Sequence, residues 1–167
     1  MNLTEIPDGS TLFVDANIFI YAVEKRSLQC RRLLDRANED RVTMVSSTLV
    51  LAEVCHRRML NEARELELIS GGNPARLLGR KPQAFAKLGV YADNIRQLLD
   101  RPVGFVPVLA EDFFEALDLQ KRHGLLTNDS LNLALARRLG IPALATADSN
   151  FDSAQGILVY KPDDIAA

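Results

Sequence analysis

The sequence predicts an α/β fold built on a parallel sheet, and three observations support this. Short apolar runs rich in β-branched residues recur at Leu12–Val14, Val42–Ser46, Val103–Val108, Ala143–Thr146 and Ile157–Tyr160, as in strands buried on both faces. Between them lie longer stretches with apolar residues at helical spacing. Glycine, proline and small polar residues fall at the joints rather than inside these runs. Alternation of strand and helix gives a parallel sheet covered by helices.

Each element follows in order. Pro7, Asp8 and Gly9 precede the first strand, and Ile18 to Tyr21 carry the apolar character onward as a helix that begins directly after it. Leu28 to Asn38 places Leu28, Cys30, Leu33, Leu34 and Ala37 on one face, an amphipathic helix. After the second strand, Ser46, Ser47 or Thr48 can cap a long helix from Thr48 to about Leu68, which Gly71, Gly72, Asn73 and Pro74 bring to an end. The basic, broken segment Pro74–Pro82 reads as a loop or short helical turn. Gln83–Leu99 resumes a helical pattern. Pro107 marks the third strand as an edge or a strand end. Ala110–Lys121 is a helix stopped at Gly124, and Leu125–Gly140 is another, with Thr127 or Asn128 as its cap and Asp129 in its first turn. The fourth strand leads to Asp148 in a turn, and the fifth precedes Pro162 and a polar tail.

With 167 residues and 47% hydrophobic content, the chain can bury a core and is expected to form one domain over 1–167. Its formal net charge of −2 gives no bulk attraction to nucleic acid. Two cysteines, no leader-like N-terminus and no apolar run of membrane-spanning length lead to the expectation of a cytoplasmic protein without membrane contact. Neither GxxxxGK[ST] nor GxGxxG occurs, which removes support for nucleotide binding.

Asp15 interrupts the apolar stretch TLFVDANIFIY. A carboxylate at such a junction needs a helix N-terminus, a cation or a metal beside it. Asp15 and Asp148 both lie at strand carboxyl ends, where open parallel sheets bind ligands. Glu53 lies about two turns beyond the second strand, and Asp129 shares its helix face with Leu133 and Ala136. Four converging carboxylates repel one another unless divalent cations neutralise them. All-oxygen ligation suits Mg²⁺ or Mn²⁺, and with it phosphodiester chemistry.

With Asp15-Ala-Asn17, Glu53, LLTNDSLNLA around Asp129 and Thr146-Ala-Asp148-Ser-Asn-Phe151 in this order, the sequence resembles the PIN-domain ribonucleases, particularly the VapC-like toxins of prokaryotic toxin–antitoxin pairs. The resemblance covers almost the whole chain. It implies a three-layer α/β/α fold around a central parallel sheet and Mg²⁺- or Mn²⁺-dependent endoribonuclease activity. It further implies Asp15, Glu53, Asp129 and Asp148 as catalytic metal ligands, with Asn17 and Thr146 orienting ligands or water behind them. An antitoxin protein that blocks the site and a homodimer are the partners it implies. The interval of 76 residues from Glu53 to Asp129 is longer than is common in such toxins. It contains Arg76, Arg80 and Lys81, read as contacts to RNA phosphates.

Blander readings stand beside these. Asp15 could serve only as a helix cap, Glu53 only as the partner of Arg57 four residues on, Asp129 only as a capping carboxylate, and Asp148 only as a turn residue. Asp152 reads as a loop residue, Cys55-His56 as lacking a second ligand pair, and the arginine pairs 31–32, 57–58 and 137–138 as solvated helix faces. The alternative function is a non-catalytic RNA-binding or assembly module of the same fold. A phosphotransfer enzyme using Asp15 is a third, disfavoured because Ala16 and Asn17 replace the second acid such a motif needs.

Overall fold

In a computed structural model that describes residues 1–166, five strands form one sheet: β1 (Thr11–Val14), β2 (Thr43–Ser47), β3 (Val103–Val106), β4 (Ala143–Ala145) and β5 (Leu158–Tyr160). The order is β3-β2-β1-β4-β5 and every pairing is parallel. Phe13 of the central strand pairs with Val45 on one side and Leu144 on the other. Leu12, Phe13 and Val14 are wholly buried, as continuous apolar runs in covered parallel strands should be. The flanking helices are α1 (Ala16–Val23), α2 (Leu28–Asn38), α3 (Thr48–Glu65), α4 (Pro74–Gly79), α5 (Val90–Leu99), α6 (Asp112–His123) and α7 (Thr127–Arg138). No helix among the described residues is long and apolar enough to cross a membrane. Cys30 and Cys55 are free thiols.

The chain builds β1, β2 and β3 outward in one direction and then returns to place β4 on the other side of β1. The carboxyl ends of β1 and β4 therefore flank the point where strand order reverses, the position at which α/β sheets open a crevice.

Several boundaries differ from expectation, each for a local reason. The long helix stops at Glu65 rather than near Leu68, because Glu67 adopts a positive φ of 53°. Within Pro74–Pro82, Asn73 caps α4 by accepting from the Arg76 N–H and Pro74 occupies its first turn. The stretch Gln83–Leu99 is not one helix: a 3-10 turn (Pro82–Lys87) and α5 are separated at Leu88 and Gly89. The break is held by Glu62 of α3, whose carboxylate accepts from the backbone N–H of Gly89, Val90 and Tyr91 at 2.8, 3.0 and 2.7 Å. β3 ends at Val106, before Pro107, and α6 begins at Asp112 rather than Ala110. Helix α7 has Leu126 at its cap position and no side-chain cap, so neither Thr127 nor Asn128 plays that part. A 3-10 turn at Leu3–Glu5, capped by Asn2 and Glu5, carries no apolar periodicity that would have announced it.

The main core runs through the sheet and every helix but α4, with Val50 and Val54 of α3 and Leu98 of α5 among its buried residues. A second, smaller core joins Ala63 and Ile69 to Leu78 and Ala84, so that α4 and the 3-10 turn form a lobe packed on the C-terminal half of α3.

Candidate active site

Asp15 follows β1 directly, and its backbone N–H still donates to the Ala145 carbonyl of β4 at 3.0 Å. Extended at φ −83°, ψ 161°, it caps α1, one oxygen accepting from the Ala16 N–H at 2.7 Å. The other oxygen does what a cap does not require: it accepts from Thr146 Oγ1 at 2.7 Å and from Asn17 Nδ2 at 2.6 Å. Only 7% exposed, the Asp15 carboxyl is pushed above the usual carboxylate range by burial. The bonds from Thr146 and Ala16 oppose that rise, and the charges of Glu53 and Asp148 add to it.

Thr146 and Asn17 tie the two strand ends together. Thr146 Oγ1 accepts from the Asp148 N–H at 3.0 Å, and Asn17 Oδ1 accepts from the Ala147 N–H at 2.8 Å. Asp148 in turn caps the 3-10 turn Ser149–Ser153, accepting from the Asn150 N–H at 2.8 Å. The capping reading of Asp15 and the turn reading of Asp148 thus both hold as local chemistry, and both leave the carboxylates at the mouth of the switch point.

Two helices bring the remaining acids. Ser47, buried at the end of β2, accepts from the Val50 N–H at 2.9 Å to start α3 and donates to Asn132 of α7 at 2.7 Å. That single hydroxyl fixes α3 against α7, so Glu53 and Asp129 line one open cleft of about 480 Å³ together with Asp148, Leu126, Thr127, Asn128 and Asn150. Glu53 also pairs with Arg57 at 3.4 Å, as the i,i+4 spacing suggested. Arg57 lines the adjoining crevice with Asn17, Tyr21 and Asp148. Asp129 makes no side-chain hydrogen bond or ion pair to another described residue. Burial raises its pKa to about 6, with the Asp15, Asp148 and Glu53 charges adding to the effect.

Ser47 caps α3, one of the three caps the sequence offered, but its bond to Asn132 has no signature at Ser47 itself. The available signal was polarity in the wrong place: Asn132 sits inside the apolar run Leu131–Ala136, where an amide must have a partner. Arg76, Arg80 and Lys81 lie apart from the cleft, exposed on α4 and just after it, and Lys81 Nζ donates to the Leu68 carbonyl at 2.7 Å. Asp152 pairs with Lys161 and does not line the cleft.

The donor set suits a hard cation, being all oxygen, crowded with like charge and including one acid with no bond inside the protein. Among the described residues no three acidic, histidine or cysteine side chains converge as a preformed cage. A Mg²⁺-type ion does not ask for one, since it keeps several waters and takes one or two carboxylates.

A model of the PIN domain matches residues 12–157. No curated protein sequence is significantly similar. Among solved structures, the chain is similar to VapBC2 of Rickettsia felis bound to a DNA fragment from its promoter, at 17% identity and TM-score 0.60, over 90% of this chain and 98% of that one. It is similar to VapC20 of Mycobacterium tuberculosis, a toxin that cleaves the sarcin-ricin loop, at 18% identity and TM-score 0.57, over 87% and 96%. A toxin–antitoxin complex of Klebsiella pneumoniae matches at 14% identity and TM-score 0.52, over 88% and 95%. Likeness at these identities establishes the fold.

Proposed function

The chain belongs to the PIN-domain family, and from that premise we propose that it is a metal-dependent endoribonuclease, the toxin of a toxin–antitoxin pair. Nucleases of this family are hydrolases that use divalent metal ions. The observation that supports the reading is that Glu53, Asp129 and Asp148 line one cleft close enough to Asp15 for its charge to act on Asp129, while Thr146 and Asn17 brace Asp15.

Asp15, Asp129, Asp148 and Glu53 are the residues that would hold Mg²⁺ or Mn²⁺. A divalent cation there supplies positive charge against the scissile phosphate and makes water a stronger nucleophile. The protein's own work is positional. Thr146 and Asn17 hold one Asp15 oxygen so that the carboxylate cannot rotate. Ser47 and Asn132 set the spacing between Glu53 and Asp129. Hydrolysis forms a bond from water oxygen to phosphorus and breaks the phosphorus–oxygen bond to the leaving nucleoside; a proton released by the water would pass to a cleft carboxylate or to solvent, and a proton from the same sources would neutralise the leaving oxygen.

The antitoxin is the partner drawn from the complexes that this fold resembles. A homodimer has support on α6, where Phe113, Phe114 and Leu117 are exposed. The same helix is acidic in its first turn and basic in its last. Its first-turn acids Asp112 and Glu115 already pair with Arg138 and Arg137, so two copies meeting across a two-fold axis would gain by covering the apolar patch.

The test is incubation of the wild type and Asp15→Asn with a mixed RNA pool in Mg²⁺, Mn²⁺ or EDTA, with the cut ends mapped. Cleavage that needs metal and vanishes in the variant supports the assignment. Equal inactivity, with both proteins still binding RNA, puts the non-catalytic module in its place.

A further inference from the structure

Resting on the ribonuclease reading above, we infer that the lobe of residues 66–90 is a platform for single-stranded RNA leaving the acidic cleft, making this enzyme favour substrates long enough to reach it. The first ground is position. On α3, residues 53, 57, 60 and 64 form one stripe by helical periodicity. Leu60 of that stripe packs into the lobe's own core with Leu77 and Leu88. The lobe therefore stands further along α3 than Glu53, held on Met59, Leu60 and Ala63, and seven residues at 1.5 Å each put its inner edge at Leu60 about 10 Å along the helix. Arg57, between them, already lines the crevice beside Asp148.

The second ground is charge. Residues 66–90 contain Arg76, Arg80, Lys81 and Lys87 against the single acid Glu67, a net +3 within a chain of net −2. Elsewhere most arginines are spent: Arg26, Arg36, Arg41, Arg58, Arg137 and Arg138 all pair with carboxylates. Among the described residues Arg76, Arg80 and Lys87 form no ion pair and are exposed, leaving them free for phosphates.

The third ground is Phe85, 42% exposed in the 3-10 turn between Lys81 and Lys87. A solvent-facing aromatic flanked by cations is the combination on which a base stacks while the backbone is neutralised. The lobe is also held rigidly enough to serve, since Lys81 is anchored to Leu68 and Glu62 pins the start of α5.

The experiment reads binding separately from cleavage. Fluorescence anisotropy in EDTA compares the wild type with the triple variant Arg80→Ala, Phe85→Ala, Lys87→Ala, using single-stranded RNAs of about 4 and about 16 nucleotides, the span of common single-strand sites. The expected result is tenfold or greater weakening for the long RNA, little change for the short one, and a salt slope lower by about 1.4, or 0.7 for each lost cation. Arg31→Ala, Arg32→Ala, which removes two exposed cations of α2, should leave the long-RNA affinity unchanged. Equal affinities in wild type and triple variant, or equal weakening by the α2 variant, would overturn the platform. Thermal unfolding shows whether the triple variant is folded; if it is not, Lys87→Glu alone replaces it and must lower the salt slope. Failure of the wild type to cut any RNA, with the length-dependent binding intact, would instead strike the ribonuclease reading.

Discussion

Thr146 Oγ1 donates to Asp15 Oδ2 at 2.7 Å, joining the carboxyl ends of β4 and β1 through side chains one residue beyond their last backbone pairing. The same hydroxyl accepts from the Asp148 N–H, so one buried oxygen positions two of the four acids. Thr146→Val keeps the shape and removes the hydroxyl. It should lower cleavage roughly 10–100-fold, as losses behind a ligand do, and lower stability by about 1–3 kcal/mol because the Asp148 N–H loses its acceptor. Thr146→Ser should retain most of both. Cleavage rates of the two variants beside their urea midpoints check this, and a Val variant as active as wild type would show the bond to be idle.

How much of this was legible in the sequence depends on whether a residue's reason is local. The strands and most helices were, because buried parallel strands and amphipathic helices write their periods into neighbouring residues. The sheet order was not: nothing in the chain says that β4 lies beside β1 rather than β3. Asp15 and Asp148 could be placed at strand ends from sequence, yet their convergence required that order. The helix expected over Gln83–Leu99 failed because its interruption is caused by Glu62, more than twenty residues earlier, capping from another helix. Ser47 was legible as a cap of α3, but its bond to Asn132 was not, 85 residues separating the two ends.

Glu62 supplies the second prediction. Burial pushes its pKa up, but the three N–H bonds from residues 89–91 and the Arg58 charge more than offset that, leaving it below the usual value. A depressed carboxyl contributes stability above the unfolded pKa and loses it as pH falls through the folded one. Glu62→Ala should therefore destabilise by about 3 kcal/mol at neutral pH, with the difference from wild type shrinking below pH 4.5, the carboxyl's ordinary value. Urea unfolding of both proteins across pH 3 to 7, roughly the span over which carboxylates titrate, measures it. Amide exchange should rise first at residues 89–91.

Phe114 is 79% exposed on α6, where burial within the monomer contributes nothing to lose. Phe114→Asp should leave monomer stability within about 0.5 kcal/mol of wild type. If two copies meet through α6, it should convert dimer to monomer, because the two-fold axis brings both new charges into one patch. Light scattering after size exclusion decides; a dimer that persists in the variant places the interface elsewhere.

Asp129 gives the prediction with the clearest sign. Its pKa is raised to about 6 from the ordinary aspartate value of 3.8, chiefly by burial and then by the three neighbouring acids, so this group binds more protons in the native protein than in the unfolded chain between those values. Stability contributed by such a group falls as pH rises; in the protein free of divalent ions the Asp129 contribution should fall from about pH 4 to pH 6 and stay lower above it. Asp129→Asn keeps the shape and cannot ionise. In EDTA it should melt above wild type at pH 7, and the gap should close near pH 4, where the native carboxyl is already neutral. Added Mg²⁺ or Mn²⁺ should reverse the order at pH 7, raising the wild-type melting temperature with cation concentration by mass action while moving the variant less. Melting curves of both proteins with and without the cation check every step. A difference between wild type and Asp129→Asn that is flat from pH 4 to 7 and indifferent to the cation would mean that Asp129 carries no uncompensated charge and that the cleft does not gather divalent ions.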